Sequence, residues 1–356
     1  VNDQAGASYA AAGVSIEEGD RAVELMKEWV EKARRPEVVG GIGGFAGLFD
    51  ATSLKSYRRP LLATSADGVG TKVQIAQRMD QHDTIGFDLV GMLVDDLVVC
   101  GAEPLFMTDY IATGKVVPER IAEIVKGIAQ ACAESGTALL GGETAEHPGL
   151  LAPDEYDIAG STTGVVEADQ VIGAELVRPG DVVIAMKSSG LHSNGYSLVR
   201  HVFFTHAGWE LDREVPELGG ALGQTLLVPT RLYTLPSLDL VRKLDVHAMS
   251  HVTGGGLAAN LERVVPDSVS VRIDRTTWTP QAIFSLVAEV GSVAQADLEQ
   301  ALNMGVGMVA LVAPDDADAS IRLLAEHGIE AWVAGDVADA GVHGAGGTVT
   351  LTGDHA

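Results

Sequence analysis

Apolar residues follow two spacings along this chain. Between 20 and 34, Ala22, Leu25, Met26, Trp29, Val30 and Ala33 recur as on one face of a helix, which Arg34-Arg35-Pro36 ends. A second stripe, Leu89, Leu93, Leu97 and Val98, predicts a helix over 85–100. A third, Ile121, Val125, Ile128 and Cys132, predicts one over 119–135, opened by Pro118. The apolar run at 61–64 reads as a buried strand, and 105–112, 138–140 and 157–166 read as further strands. Past a joint at 171–180 the alternation resumes. Strands are expected at 182–186, 246–251, 308–312, 331–335 and 347–351, with helices near 196–206, 257–264, 295–302 and 315–327 and one after Pro280. Residues 1–18 are mixed, and 208–224 read as irregular.

The element order of the first half fits an α+β layer better than an uninterrupted doubly wound sheet. A length of 356 residues predicts two domains, 1–170 and 171–356. Apolar content of 46% supplies sizeable cores, and with only 5% aromatics their packing is aliphatic. The formal charge of −25 is spread over both halves and argues against nucleic-acid or anionic-membrane partners. Cys100 and Cys132 fall in apolar helical patterns and read as reduced, buried thiols, so a cytoplasmic location is expected. No signal peptide and no apolar run of transmembrane length is found.

Candidate chemistry gathers in short polar stretches. Residues 65–72 supply Asp67 for a hard cation, Gly68 and Gly70 for close backbone approach to an anion, the Thr71 hydroxyl, and Lys72 as a point charge for phosphate. The same stretch also reads as a strand and an acidic turn. Asp88 and Asp95 share a helix face and Asp96 points about a quarter-turn away; cation binding with Asp67 is the preferred reading, and solvated acids the plainer one. The glycine-rich stretch 40–47 formally fits a dinucleotide fingerprint, but it follows a helix instead of leaving a strand, so a loop over a ligand or a structural loop remains. Glu143, Glu146 and His147 lie in 141–149, expected as a loop. Ser193 or Asn194 is placed to cap the helix near 196, with His192 just before it. Residues 253–256 read as an anion nest or a close-packing turn.

The ordered blocks Tyr9-x-x-Ala-Gly-Val14, RRPEVVGGIGGFAGLF (34–49), DGVGTK (67–72), HDTIGFDLVGMLVDDLVVCGAEPLFMTDYIATGK (82–115), GGETAEHPG (141–149), GLHSNGYSLVR (190–200), LLVPTRLY (226–233) and HVTGGG (251–256) span nearly the whole chain. Together they resemble the phosphoribosylformylglycinamidine cyclo-ligase, or aminoimidazole ribonucleotide synthetase, family. The resemblance implies a two-domain α+β / α/β fold, with an N-terminal ATP-binding domain that dimerises through its sheet and a C-terminal α/β domain. It implies ATP-dependent closure of formylglycinamidine ribonucleotide to 5-aminoimidazole ribonucleotide, with ADP and phosphate released, in purine biosynthesis.

On that resemblance ATP and Mg²⁺ are the expected cofactors, a nucleotide the substrate and a homodimer the assembly. Asp67, Asp96 and Glu143 would hold the metal. Gly43, Gly44, Phe45, Gly47, Gly68, Gly70, Thr71, Lys72 and Asp109 would address ATP. Ser193, Asn194, Gly195, Thr253, Gly254, Gly255 and Gly256 would take the substrate phosphate, and His192, His251 and Lys72 are the catalytic candidates. Asp95 stands where asparagine is common in the family, and Ala66 where threonine often precedes the key aspartate. Related readings are a thiamine-phosphate kinase or selenophosphate synthetase type enzyme, or a non-catalytic nucleotide-binding protein. The first lacks the HSNGYSLVR block, and the second would be expected to carry a reactive cysteine before Cys100.

Overall fold

The computed structural model describes residues 15–41 and 44–355. Ser15 caps the first helix by accepting from the Glu18 amide, so α1 (Ile16–Lys32) begins four residues before the expected start at 20. A two-residue hairpin, β1 (Val38–Val39) and β2 (Leu48–Phe49), carries the glycine-rich stretch. There follow β3 (Pro60–Gly68), α2 (Val73–Met79), α3 (Ile85–Val98), β4 (Glu103–Thr113), α4 (Pro118–Ser135), β5 (Ala138–Glu146) and β6 (Tyr156–Glu167). The sheet order is β3-β6-β4-β5, antiparallel except between β4 and β5. Helices α3 and α4 cover one face, and α1 packs outside α4. The other face is open, presenting Leu62, Thr64, Thr108, Tyr110 and Ser161.

Helices α3 and α4 touch through glycine. A Cβ on Gly86 would lie 2.0 Å from the Ile128 nitrogen, and one on Gly127 would lie 2.2 Å from the Asp83 carbonyl oxygen. No side chain fits between the two backbones at this crossing.

The second half contains β7 (Val182–Lys187), α5 (Tyr196–Arg200) continued by a π-helical turn (His201–His206), the short β8 (Glu214–Val215) and β9 (Gly220–Ala221), α6 (Leu222–Leu226), α7 (Thr234–Lys243), β10 (Val246–His251), α8 (Gly256–Glu262), β11 (Val269–Asp274), α9 (Ala282–Gly291), α10 (Gln295–Ala301), β12 (Val306–Val312), α11 (Ala317–Glu326), β13 (Ala331–Asp339) and β14 (Val349–Thr352). Its sheet runs β10-β12-β7-β13-β11-β14, with only β11 and β14 parallel. Separate apolar clusters, around Val183, Val271 and Leu311 and around Ile184, Met186 and Met308, flank it. The largest cluster ignores the joint: Val69, Val73 and Leu89 pack in one body with Tyr196, Val199 and Phe203.

Three local expectations change. Residues 141–146 continue strand β5 instead of looping, because β4 pairs with them as far as Glu146. Asp67 and Gly68 are likewise strand residues, in register with Gly160 and Ala159, so the acidic turn falls later, at Gly70. Within 208–224, a hairpin and the start of α6 replace irregular chain.

Candidate active site

Strand β3 delivers Asp67 to the side of the sheet that α3 covers. Its Oδ1 accepts the Gly68 amide at 2.7 Å. Burial, then the charge of Asp96, push its carboxyl above the ordinary range against the pull of that amide. Asp96, half-exposed on α3, accepts from His251 Nδ1 at 2.9 Å. Asp67 on β3 therefore feels the charges of Asp96 on α3 and of His251 at the end of β10.

Asp88 and Asp95 do share a face of α3, as their spacing predicts, but that face meets the second half of the chain. The buried Asp88 Oδ1 accepts from Lys72 Nζ (2.8 Å), the Thr230 amide (3.1 Å) and the Thr230 hydroxyl (2.6 Å). The buried Asp95 accepts from the Tyr233 amide (3.1 Å) and the Thr234 hydroxyl (2.8 Å) at the start of α7. Burial pushes Asp95 up to about 6. Neither carboxylate joins Asp67.

Lys72 is not a free phosphate ligand. Its side chain is fully buried, and Nζ also donates to the carbonyls of His192 (2.8 Å) and Val228 (2.6 Å). Burial pushes the Lys72 ammonium down and the Asp88 carboxyl up. Three acceptors around Nζ nonetheless match the three N–H groups of an ammonium, so the pair is ionised.

Two other assignments are corrected by strand alternation. Asp109 is in register with Gly160, and hence with Asp67, so it faces the helices instead of an ATP loop. A Cβ on Gly142 would meet its Oδ1 at 1.9 Å, and burial pushes the carboxyl up to about 7. Glu143 pairs with Tyr110 and faces the open side. It lies on the opposite face from Asp67 and three strands away, about 14 Å, so one chain does not bring Asp67, Asp96 and Glu143 together. Among the described residues no three of His, Cys, Asp and Glu form a metal-sized group. Glu146 accepts the amides of Ser15 and Val116, and His147 Nε2 lies 2.9 Å from the Tyr110 hydroxyl.

A cleft of about 560 Å³, within the range of small-molecule sites, opens between the halves. Asp67, Gly68, Gly70 and Thr71 line one wall, with Asp157 and Ala159, and 193–197 line the other. Gly195 (φ +76°), not Ser193 or Asn194, caps α5, and a Cβ there would lie 2.4 Å from Leu302. This frees both side chains. Ser193 Oγ is buried without a partner among the described residues, and Asn194 Nδ2 rests 3.3 Å from the Met92 sulfur. Thr71 and Ser197 hydroxyls stand 3.3 Å apart across the mouth.

Behind this turn, His192 is buried in a left-handed conformation (φ +61°). Its Nε2 accepts from the Ser189 amide at 3.2 Å, and Nδ1 has no partner among the described residues. Burial, then the charges of His251 and Lys72, hold the ring well below its usual pKa and therefore neutral. The 253–256 turn lies near Asn194 and is tied by a residue the sequence reading missed. Asn260 Nδ2 donates to the carbonyls of Thr253 (3.3 Å), Gly254 (3.1 Å) and Gly256 (2.8 Å). Asn260 sits four residues after Gly256, the spacing that returns a helical side chain to the helix start. In the glycine-rich hairpin, Gly44 and Phe45 are exposed and Gly47 abuts Leu140 on β5, away from the cleft. Gly43 lies outside the described residues.

Residues 50–166 match the family described as AIR synthase related protein, N-terminal domain, and 178–346 match its C-terminal domain. Phosphoribosylformylglycinamidine cyclo-ligase of Geobacillus kaustophilus (strain HTA426) is 49% identical over 96% of this chain and 98% of its own length. The chain belongs to the phosphoribosylformylglycinamidine cyclo-ligase family. The enzyme of the same name from Desulfitobacterium hafniense (strain DSM 10664 / DCB-2) is 48% identical over 93% of this chain and 97% of its own. The fold extends further than the family. A thiamine-monophosphate kinase from Stenotrophomonas maltophilia K279a superposes with TM-score 0.66 at 19% identity, covering 93% of this chain and 97% of its own. The hydrogenase maturation protein HypE in complex with ATP gives 0.67 at 18%, covering 94% and 90%. Among the described residues no helix is long and apolar enough to cross a membrane.

Proposed function

We propose that this cyclo-ligase family member closes formylglycinamidine ribonucleotide to 5-aminoimidazole ribonucleotide at the cleft between its halves, consuming ATP. One observation carries the reading: Asp67, coupled to Asp96 and His251, opens onto the same cleft as Ser193 and Asn194. On this reading Asp67 and Asp96 would hold a cation at one wall, and the 193–195 turn would take a phosphate at the other.

Asp67 and Asp96 suit Mg²⁺. The charge of Asp96 raises the cost of ionising Asp67, and a hard divalent ion held by the two would relieve it. Such an ion would neutralise phosphate charge. Ser193, Asn194, Gly195 and the 253–256 turn hold the ribose phosphate, and Gly68, Gly70 and Thr71 approach ATP with small groups. Gly44, Phe45 and Gly47 remain available to ATP as an exposed loop.

The γ-phosphoryl group passes to the formamide oxygen and ADP leaves. An amidine nitrogen then attacks the activated carbon, and phosphate departs with that oxygen. His251, its Nδ1 tied to Asp96, is oriented to take the proton the attacking nitrogen loses; the neutral His192 lies next to it. Positioning and charge neutralisation supply most of the rate in such transfers. The open sheet face supports a homodimer, and two free thiols suit the cytoplasm.

Purified protein, given the amidine nucleotide, Mg²⁺ and ATP, should form the aminoimidazole nucleotide and ADP in equal amounts. ADP without the imidazole would refute ring closure, as would folded protein that makes neither.

A further inference from the structure

We propose that Lys72 is a positioning residue that sets the separation of the two cleft walls by donating across the joint. The proposal rests on the cleft being the amidine-nucleotide site. Lys72 directly follows the wall residues Gly70 and Thr71, yet its side chain turns away from the cleft into the second half. There Nζ binds the carbonyl of His192, the residue immediately before Ser193, and the carbonyl of Val228. Asp88 receives the third N–H, and Thr230 holds Asp88 by amide and hydroxyl. One ammonium therefore fixes the 67–72 wall, helix α3, the 188–195 turn and the 228–230 segment to one another.

The conformation of His192 gives this contact its function. A left-handed histidine persists only where its surroundings hold it, and Lys72 grips its carbonyl. Nearby supports reach other points: Ser189 Oγ donates to the Pro229 carbonyl (2.7 Å), and Ser188 Oγ to that of Gly190 (2.8 Å). Without the ammonium, the peptide after His192 is free to rotate, and Ser193 and Asn194 turn out of the cleft together. Arginine cannot substitute, because a planar guanidinium does not match three acceptors gathered around one nitrogen.

The test is a Lys72→Met/Asp88→Asn double variant, which removes both charges and strands neither. We expect folded protein whose KM for the amidine nucleotide rises tenfold or more, while KM for ATP and kcat change little. An unchanged amidine KM, or equal rises for both substrates, would overturn the proposal. Should the double variant fail to fold, Lys72→Arg, which keeps a charge opposite Asp88, is judged by the same split. Asn194→Ala distinguishes failure of the positioning role from failure of the cleft as the amidine-nucleotide site. A normal amidine KM in Asn194→Ala sinks the cleft reading itself, whereas a raised one beside a normal Lys72 variant sinks only the positioning role.

Discussion

His251 Nδ1 stands 2.9 Å from Asp96 Oδ1, joining the last residue of a C-terminal strand to a helix of the N-terminal sheet. The contact fixes which imidazole nitrogen remains for chemistry, because the one bound to a carboxylate carries its proton there. It also makes the histidine's orientation depend on both halves being in place.

Replacing His251 with alanine should therefore lower turnover by about a hundredfold or more, the usual contribution of a positioned proton-transfer group. Binding of ATP should be nearly unchanged. Steady-state kinetics beside calorimetric titration measure both, and wild-type turnover would remove His251 from the mechanism.

Asp67→Asn should weaken Mg·ATP binding while leaving the thermal midpoint nearly in place, since β3 keeps its backbone pairing. Because the Asp67 carboxyl lies above the ordinary range, acid protonates it earlier than a free aspartate. Metal affinity in the wild type should accordingly fall as pH drops through that raised value, and the variant should lack this fall. Identical pH dependence in the two proteins would contradict the assignment.

Asp95 offers a stability test with the opposite sign from the usual carboxylate. Its folded value is pushed up from 3.8 to about 6, so the folded state holds a proton that the unfolded chain releases. The stability this contributes is full below the unfolded value and is lost as pH rises through 6, about 3 kcal/mol in all. Asp95→Asn lacks that dependence. Its midpoint should gain on the wild type between pH 4 and 7, and parallel curves would refute the argument.

The exposed sheet face predicts assembly. Leu62, 64% exposed, sits on the open face, and Leu62→Asp should convert a dimer into a folded monomer by sedimentation. A wild-type monomer would defeat the proposed homodimer.

Much of this arrangement can be read in the sequence because periodicity records burial. The helix stripes and strand runs locate nearly every long element, whereas the apolar stripe of α3 marks Asp88, Asp95 and Asp96 alike and does not say which of them lies near Asp67. Strand alternation limits the reading elsewhere: a strand end misjudged at 140 hides that Glu143 and Asp67 fall on opposite faces. Lys72 misleads for another reason. After two glycines a lysine looks like a phosphate ligand, and only three-dimensional packing reveals that its acceptors are an aspartate sixteen residues on and two carbonyls from the other half. Asn260 carried a usable signal, an amide one helical turn beyond a glycine triplet.

The glycine crossing of α3 and α4 has a consequence for how this protein tolerates change. Helix α3 carries Asp88, Asp95 and Asp96, and at Gly86 and Gly127 it rests directly on another backbone. A single methyl group there would lift the helix like a lever over a fulcrum, shifting all three acids at once. Sites that hold no chemistry and touch no ligand would then be among the least replaceable in the chain. Mutational sensitivity should track the path of α3, and nearness to the reacting atoms should predict it less well.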